Sequence, residues 1–426
     1  MEKHEICKLI IQRIKDYIFS PDCLEAHRGK NSFIRKRKLS MLHLITYLLY
    51  TSKASMLSNI SSIQEELGNE WFPNVSKQAV SKARQNIDPS LFRELFNISV
   101  DLFYSNIDKR KRWHGYHVFA IDGSKIEVPN GKSTFEFFGE MFTHPDHERK
   151  YTAGLASVVY DVLDDYIVHA SLHRFLASER SAAIEHMKNL QALDIYTDSI
   201  IIFDRGYYSE EMFRYCVANG YLCLMRLKES IKLTRSCNGE KIDKLPGNKK
   251  KHIEDIPIRV IEVILDDGSK EYLATNIFDP SITREMFKEL YFLRWPIELK
   301  YYELKERLLM EEYSGKTKTS VFQDFYINLL WANLTSLIKN KVDEDIDRNL
   351  NPANKYRYQA NRTFIIGKMK KLLPKILCNI KDLICIDALV KDAFRARSQI
   401  QPRRKCKRKN RKLVCRKHFP NQKYTF

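Results

Sequence analysis

Apolar residues recur at helical spacing through the first hundred positions. Leu42, Ile45, Leu48 and Leu49 mark one stripe, and Leu91, Leu95, Ile98 and Leu102 mark another. The spacing predicts a helical region over residues 1–110. Within it, Asn74-Val75-Ser76 introduces a short segment, Lys77–Ile87, that is small, polar and basic, and Asp88-Pro89-Ser90 stops it and caps the next helix. A short basic helix between two amphipathic ones suits a helix-turn-helix, and a plain helical bundle fits as well.

The texture changes at Tyr116. Val118–Ile121 reads as a short apolar strand ending in Asp122-Gly123-Ser124, and Lys125–Val128 as a second strand turned by Pro129-Asn130-Gly131. Ala153–Tyr160 and Tyr166–Leu172 read as a hairpin joined at Asp161–Asp165. A helix over Ser178–Leu193 opens on a serine, with Glu179 in its first turn. Ser199–Phe203 is a buried-type strand ending in Asp204-Arg205-Gly206-Tyr207-Tyr208; a helix Ser209–Asn219, a stop at Gly220 and a strand Tyr221–Leu227 follow. From about 229 to 282 the pattern is strand-like and turn-rich, and Ile258–Leu265 with Lys270–Ile277 around Asp267-Gly268 is the best hairpin signal in the chain. From Thr283 to about Ala396 the pattern is helical again.

At 426 residues the chain holds two to three domains, on a prior of about 150 residues each. Hydrophobic residues at 44% and charged residues at 29% exclude collagen, low-complexity disorder and a disulfide scaffold. Lys and Arg outnumber Asp and Glu by 72 to 53, a net charge of +19 that points to a polyanionic partner. Ten Lys/Arg fall in the fifteen residues Arg403–Lys417, and Arg28, Lys30, Arg35, Lys36, Arg37 and Lys38 form a second cluster. Gln78, Ser81, Lys82, Arg84, Gln85 and Asn86 suit a helix presented to DNA. The nine cysteines form no C-x-x-C or zinc pattern and are expected to be reduced, mostly core-packing thiols. No apolar stretch approaches a membrane span and the first thirty residues lack a signal-peptide block, so a cytoplasmic, nucleoid-associated protein is expected.

Candidate chemistry rests on acids. Asp122 and Asp204 each close a short apolar strand, where a carboxylate is held rigidly on the scaffold and is well placed to ligate a divalent metal. Downstream, Tyr291, Arg294, Glu298 and Lys305 share one face if 291–305 is a continuous helix. A carboxylate flanked by cations suits a phosphate chain, with Glu298 holding a metal and Arg294 and Lys305 gripping backbone oxygens; a surface ion-pair helix is the plainer alternative. Pro296 either begins this helix or kinks it, which would set Tyr291 and Arg294 on a preceding turn. Trp295 is placed to stack on a base or sugar, or simply to pack. His114, His117, His144 and His147 make no recognisable ligand set, and Asp164, Asp165, Asp266 and Asp267 are expected to be solvated turn residues.

The spacing Y-x2-R-x3-E-x6-K, filled by Tyr291, Arg294, Glu298 and Lys305, resembles the signature of the IS4 family of DDE transposases encoded by bacterial insertion sequences. Ile121-Asp122-Gly123-Ser124, Phe203-Asp204-Arg205-Gly206-Tyr207, Tyr313-Ser314-Gly315 and Gln323-Asp324-Phe325-Tyr326 extend the likeness over most of residues 30–420.

The resemblance implies an α/β fold with a ribonuclease H-like catalytic core at 111–228 and 283–341 and a β-rich insertion at 229–282. A helical DNA-binding domain at 1–110, a helical C-terminal region at 342–402 and a basic tail at 403–426 complete the expected organisation. Asp122, Asp204 and Glu298 would be both catalytic and metal-ligating, holding two Mg2+ ions that Mn2+ could replace. Tyr291, Arg294, Lys305, Trp295 and Arg205 would contact DNA. The implied activity is cut-and-paste transposition through hairpin ends, with terminal inverted repeats and target DNA as partners and a homodimer on paired ends. Some relatives hold a flipped base on an insertion-domain Trp; no Trp lies between 114 and 294, so an aromatic such as Tyr272 or Phe278 would serve. A nuclease without strand transfer and a domesticated, non-catalytic DNA-binding protein are the alternatives.

Overall fold

The computed structural model describes residues 1–35, 37–50, 54–142, 150–235, 237–247 and 254–400. The basic tail, Lys36, His144, His147, Cys406 and Cys415 lie outside the described residues. In chain order the helices are α1 (Lys3–Ile18), α2 (Pro21–His27), α3 (Met41–Tyr50), α4 (Met56–Leu67), α5 (Lys77–Arg84), α6 (Ser90–Asn106), α7 (Lys132–Phe138), α8 (Glu179–Ala192), α9 (Glu210–Ala218), α10 (Met286–Phe292), α11 (Trp295–Tyr302), α12 (Lys318–Arg348), α13 (Arg362–Leu377) and α14 (Cys385–Arg395). The strands are β1 (His117–Val128), β2 (Met141–Phe142), β3 (Lys150–Asp161), β4 (Tyr166–Arg174), β5 (Ser199–Phe203), β6 (Leu222–Leu227), β7 (Glu240–Leu245), β8 (Ile256–Ile264), β9 (Lys270–Thr275), β10 (Arg357–Gln359) and β11 (Ser398–Ile400). No helix among the described residues is long and apolar enough to cross a membrane. Two compact units result, one of Met1–Asp108, Ile126–Gly154 and Glu303 onward, the other of Lys109–Lys125 and Leu155–Tyr302.

The first unit is organised by α12, a 31-residue helix buried along most of its length and packed by α1, α3, α6, α13 and α14. A helix covered on every side shows no apolar stripe. Buried polar side chains on it find individual partners: Trp331 Nε1 donates to Leu49 O (3.2 Å), and Asn328 Nδ2 to Asp324 O (2.8 Å). Helix α5 starts on Ser76, whose hydroxyl accepts from Ala79 N. Lys77, Gln78, Ser81 and Lys82 are exposed on it, as are Gln85 and Asn86 just beyond its end. Arg84 departs from the expected DNA-facing set. It is buried, and its guanidinium donates to Gln323 Oε1 (2.9 Å), Ser314 Oγ (2.6 Å) and Asp324 Oδ1 (3.1 Å). Three fixed acceptors, one of them charged, compensate the desolvation that solvent exposure would avoid.

The second unit is a mixed α/β body whose strands follow the order β4-β3-β1-β5-β6-β9-β8-β7, and β2 pairs with the start of β3 in the first unit. β1, β5 and β6 run parallel, with Val118 opposite Ile200 and Ile201 opposite Cys223. β9 then joins β6 antiparallel, and β8 and β7 continue outward, so the turn-rich stretch between Glu229 and Ile282 extends the sheet rather than standing apart from it. Ile200, Ile202, Leu224, Ile261 and Leu273 line a core closed by Phe287, Leu290 and Tyr291 of α10.

Two local expectations change here. β1 runs unbroken from His117 to Val128, so Asp122 lies inside a strand where two strands and a turn were expected. β1 is an interior strand flanked by β3 and β5, and pairing within the sheet outweighs the turn propensity of Asp-Gly-Ser. Asp164 and Asp165 sit in the β3–β4 connection as expected but are buried. Asp165 Oδ1 takes the Lys300 ammonium at 2.8 Å and the Tyr160 hydroxyl at 2.6 Å, and Asp164 Oδ2 takes Lys111 N at 3.1 Å. Asp266 and Asp267 are exposed.

Candidate active site

Asp122 and Asp204 become neighbours through strand register. β1 and β5 are parallel with Ile121 opposite Phe203, so the next residue on each side is an aspartate. Adjacent strands lie about 4.8 Å apart, which sets two carboxylates from distant sequence at one place on the sheet.

Each acid is held from more than one side. Gly123 N donates to Asp122 Oδ1 at 2.9 Å. The Tyr301 hydroxyl lies 2.8 Å from Asp122 O and 3.0 Å from Ala156 O, tying α11 to the backbone at the first acid. Tyr291 donates from its hydroxyl to Asp204 Oδ1 at 3.2 Å. Asp204 O accepts from Tyr207 N at 3.1 Å, closing the tight turn after β5. Burial pushes the Asp122 carboxyl up to about 7; the Gly123 amide and Arg294 resist the shift, and the neighbouring charges of Asp204 and Glu179 add to it.

Pro296 resolves the two readings of the downstream stripe. α10 ends at Phe292, and α11 begins at Trp295 with Pro296 in its first turn, where the missing amide hydrogen costs no helical bond. Tyr291 therefore rides on α10, Arg294 on the link and Glu298 on α11. Arg294 is buried and donates to Glu298 Oε1 at 2.7 Å, with its guanidinium carbon 5.7 Å from the centre of the Tyr291 ring. Burial resists its charge, but Tyr291, Glu298 and Asp204 more than offset this and hold it protonated. Tyr291 and Arg294 thus connect the second and third acids. The ligand oxygens of Asp122, Asp204 and Glu298 do not all lie within 4.8 Å of one another, so the three acids do not close on a single point.

The remaining expected residues separate. Trp295 is 45% exposed and Arg205 is also exposed. Lys305 lies on a π-helical turn, Glu303–Arg307, in the first unit, where its ammonium is 3.8 Å from Glu311. The wider winding ends the α-helical stripe before it reaches this lysine. His117 is buried and its imidazole is pushed down to about 4 by burial, with Arg110 and Arg112 adding to the effect. Tyr272 of the insertion reaches Glu262 (3.3 Å), while Phe278 is exposed.

Two further residues enter the neighbourhood. Glu179 appears in the sequence only as a favourable first-turn acid, whereas Tyr207 belongs to the Asp204 motif that carries the family resemblance. Both act on Asp122 or with it: Glu179 raises its pKa, and the Tyr207 phenol is held far above its ordinary value by burial and by Asp122, Glu179 and Asp204. Glu179 has no local signal, because its contacts span separate elements.

The family described as the transposase DDE domain matches residues 113–334, a span that includes all three acids. The InsZ protein of Escherichia coli (strain K12), named as a candidate transposase, is 22% identical over 138 residues, or 32% of this chain and 44% of InsZ, so the match spans less than half of either protein. The fold is similar to that of the piggyBac transposase, solved by cryo-EM as a synaptic complex with hairpin DNA: the TM-score is 0.50 at 8% identity, over 90% of this chain and 84% of that one. A crystal structure of a pre-cleavage Mos1 transpososome matches 40% of this chain and 58% of that one at 12% identity and a TM-score of 0.17.

Proposed function

Because the chain belongs to the transposase DDE domain family, we propose that it is a DNA transposase whose cation-dependent cleavage and joining run on Asp122, Asp204 and Glu298. The observation that carries this reading is the β1–β5 register, which sets the first two acids on adjacent parallel strands. Tyr291 and Arg294 then bring the third acid's segment onto the second acid. The order β4-β3-β1-β5-β6 supports a ribonuclease H-like core, with β7–β9 as the insertion between the second and third acids. On this reading 1–110 is the DNA-binding region and 342–402 a helical C-terminal region, with 403–426 as a basic tail.

The donor set suits two Mg2+ ions, with Mn2+ as a substitute, because every ligand is a hard carboxylate oxygen. The fit is physical. Asp122 is partly buried among acids that disfavour its charge, and the buried Tyr207 hydroxyl beside them lacks a hydrogen-bond partner. When bound, the cations activate the attacking water or 3′-hydroxyl and stabilise the leaving oxygen of an in-line displacement. The protein's part is to hold the carboxylates in register and present DNA to them. Tyr291 fixes Asp204; Arg294 orients Glu298; exposed Arg205 and Trp295 offer a charge and a stacking face, and Lys305 a further backbone contact. Hairpin ends, a homodimer on paired ends and capture of target DNA follow from the family resemblance; the piggyBac transposase, of similar fold, was solved with hairpin DNA.

The test is an end-cleavage and strand-transfer assay on duplexes carrying the element's terminal inverted repeat. Asp122→Ala, Asp204→Ala and Glu298→Ala each abolish cleavage, while gel-shift binding of the same ends stays within a few-fold of wild type. Retained cleavage in any one variant overturns the assignment of that acid. Cleavage without joining by the wild-type chain replaces the transposase reading with a nuclease.

A further inference from the structure

We infer that Glu179 supplies a fourth carboxylate to the cation site, an assignment that rests on the reading of Asp122, Asp204 and Glu298 above. Glu179 is the first residue of α8, after Ser178, whose hydroxyl accepts from Ser181 N. This start aims its side chain across both acid-bearing segments. A Cβ added to Gly123 would meet Glu179 Oε1 at 3.3 Å, and one added to Gly206 would meet Oε2 at 3.7 Å. One oxygen therefore lies against the residue that follows Asp122, and the other against the residue two beyond Asp204. Neither glycine adopts a left-handed backbone, so at Gly123 the missing side chain makes room for this carboxylate and for Leu155, 3.0 Å from the same Cβ.

The carboxylate itself has no hydrogen-bond or ion-pair partner among the described residues, although it is half-buried. A second group points to the same place. Tyr207 is 1% exposed and its hydroxyl has no hydrogen-bond partner, yet it sits in the combined field of Asp122, Glu179 and Asp204. A buried phenol in the field of three carboxylates and bonded to none is a polar group left without its partner, and buried donors are ordinarily satisfied. Arg294 acts on Asp122 and Asp204 and is itself engaged by Glu298. The concentration of carboxylates and the unsatisfied buried hydroxyl both suit a hard divalent cation.

The experiment measures Mn2+ binding to the full chain without DNA by isothermal titration calorimetry. Glu179→Gln weakens Mn2+ affinity by roughly tenfold or more, the scale at which residues around a metal act. Glu185→Gln, on the same helix with a half-exposed carboxylate, leaves it unchanged. Asp122→Asn is titrated in parallel. If Asp122→Asn weakens binding and Glu179→Gln does not, Glu179 is no ligand and the three-acid reading stands. If wild type fails to bind, or neither variant matters, the three-acid reading falls and takes this inference with it. Should Glu179→Gln fail to fold by circular dichroism, Glu179→Asp replaces it: its shorter arm withdraws the carboxylate, a several-fold loss is expected, and unchanged affinity overturns the inference.

Discussion

Asp122→Asn in the metal-free chain converts the electrostatics of the site into a stability measurement. The Asp122 carboxyl has an ordinary pKa of 3.8 and is raised to about 7 in the folded chain, first by burial and then by Asp204 and Glu179. A folded-state pKa above the unfolded one means that the neutral acid favours the native state. That contribution is complete below pH 3.8 and is lost as pH rises to about 7. Each pH unit of the gap is worth about 1.4 kcal/mol, so the ionised carboxylate costs about 4 kcal/mol above pH 7 relative to the neutral acid. Asparagine keeps the shape and a carbonyl to accept the Gly123 amide, but it carries no charge. In EDTA, Asp122→Asn therefore matches wild type at pH 4 and exceeds it by about 3 to 4 kcal/mol at pH 8, and added Mg2+ closes the gap by stabilising wild type alone. Urea unfolding followed by tryptophan fluorescence reads this, with Trp113 in the core of the sheet unit as an internal reporter. A difference between variant and wild type that is the same at both pH values refutes the reasoning, because it places the Asp122 carboxyl in water.

Three further outcomes follow from the geometry. Arg84→Ala leaves the Asp324 carboxylate buried without its guanidinium and lowers stability by about 3 to 5 kcal/mol in thermal or urea unfolding; a loss under about 1 kcal/mol shows that water reaches Asp324. Lys300→Met removes the buried ammonium from Asp165 and costs a similar amount, read by the same measurement, and a neutral result means that the pair contributes nothing net. Trp295→Ala leaves the unfolding transition in place, because the ring is half in solvent, and weakens binding of DNA ends by about 1 to 3 kcal/mol in a fluorescence-anisotropy titration; equal affinity removes Trp295 from the DNA surface.

Local chemistry made much of the chain legible. Strand β5 matches its apolar run residue for residue, Ser76, Ser178 and Ser209 cap the helices they precede, and the Asp267-Gly268 turn joins β8 to β9. These features depend on residues within a few positions of each other, which is the range over which capping, turn geometry and side-chain periodicity act. The two acids after apolar runs and the Tyr-Arg-Glu spacing were readable for the same reason, and Pro296 already offered the helix start that the structure adopts.

Contacts between distant segments decided the rest. Whether Asp122 ends a strand or lies inside one depends on the partners of β1, not on Asp-Gly-Ser. Arg84 and Lys82 look alike as charges on a short basic helix, yet only Arg84 meets Gln323 and Asp324 and turns inward. Asp165 resembles any turn aspartate until Lys300, far along the chain, is placed against it. Glu179 could be read from sequence only as a cap-favouring acid, because its approach to Gly123 and Gly206 exists only in the folded chain. Amino-acid order by itself determined most of the elements and which acids follow apolar runs; strand limits around Asp122, burial and the pairing of charges required the folded chain, since all are set by atoms that sequence distance does not bring together.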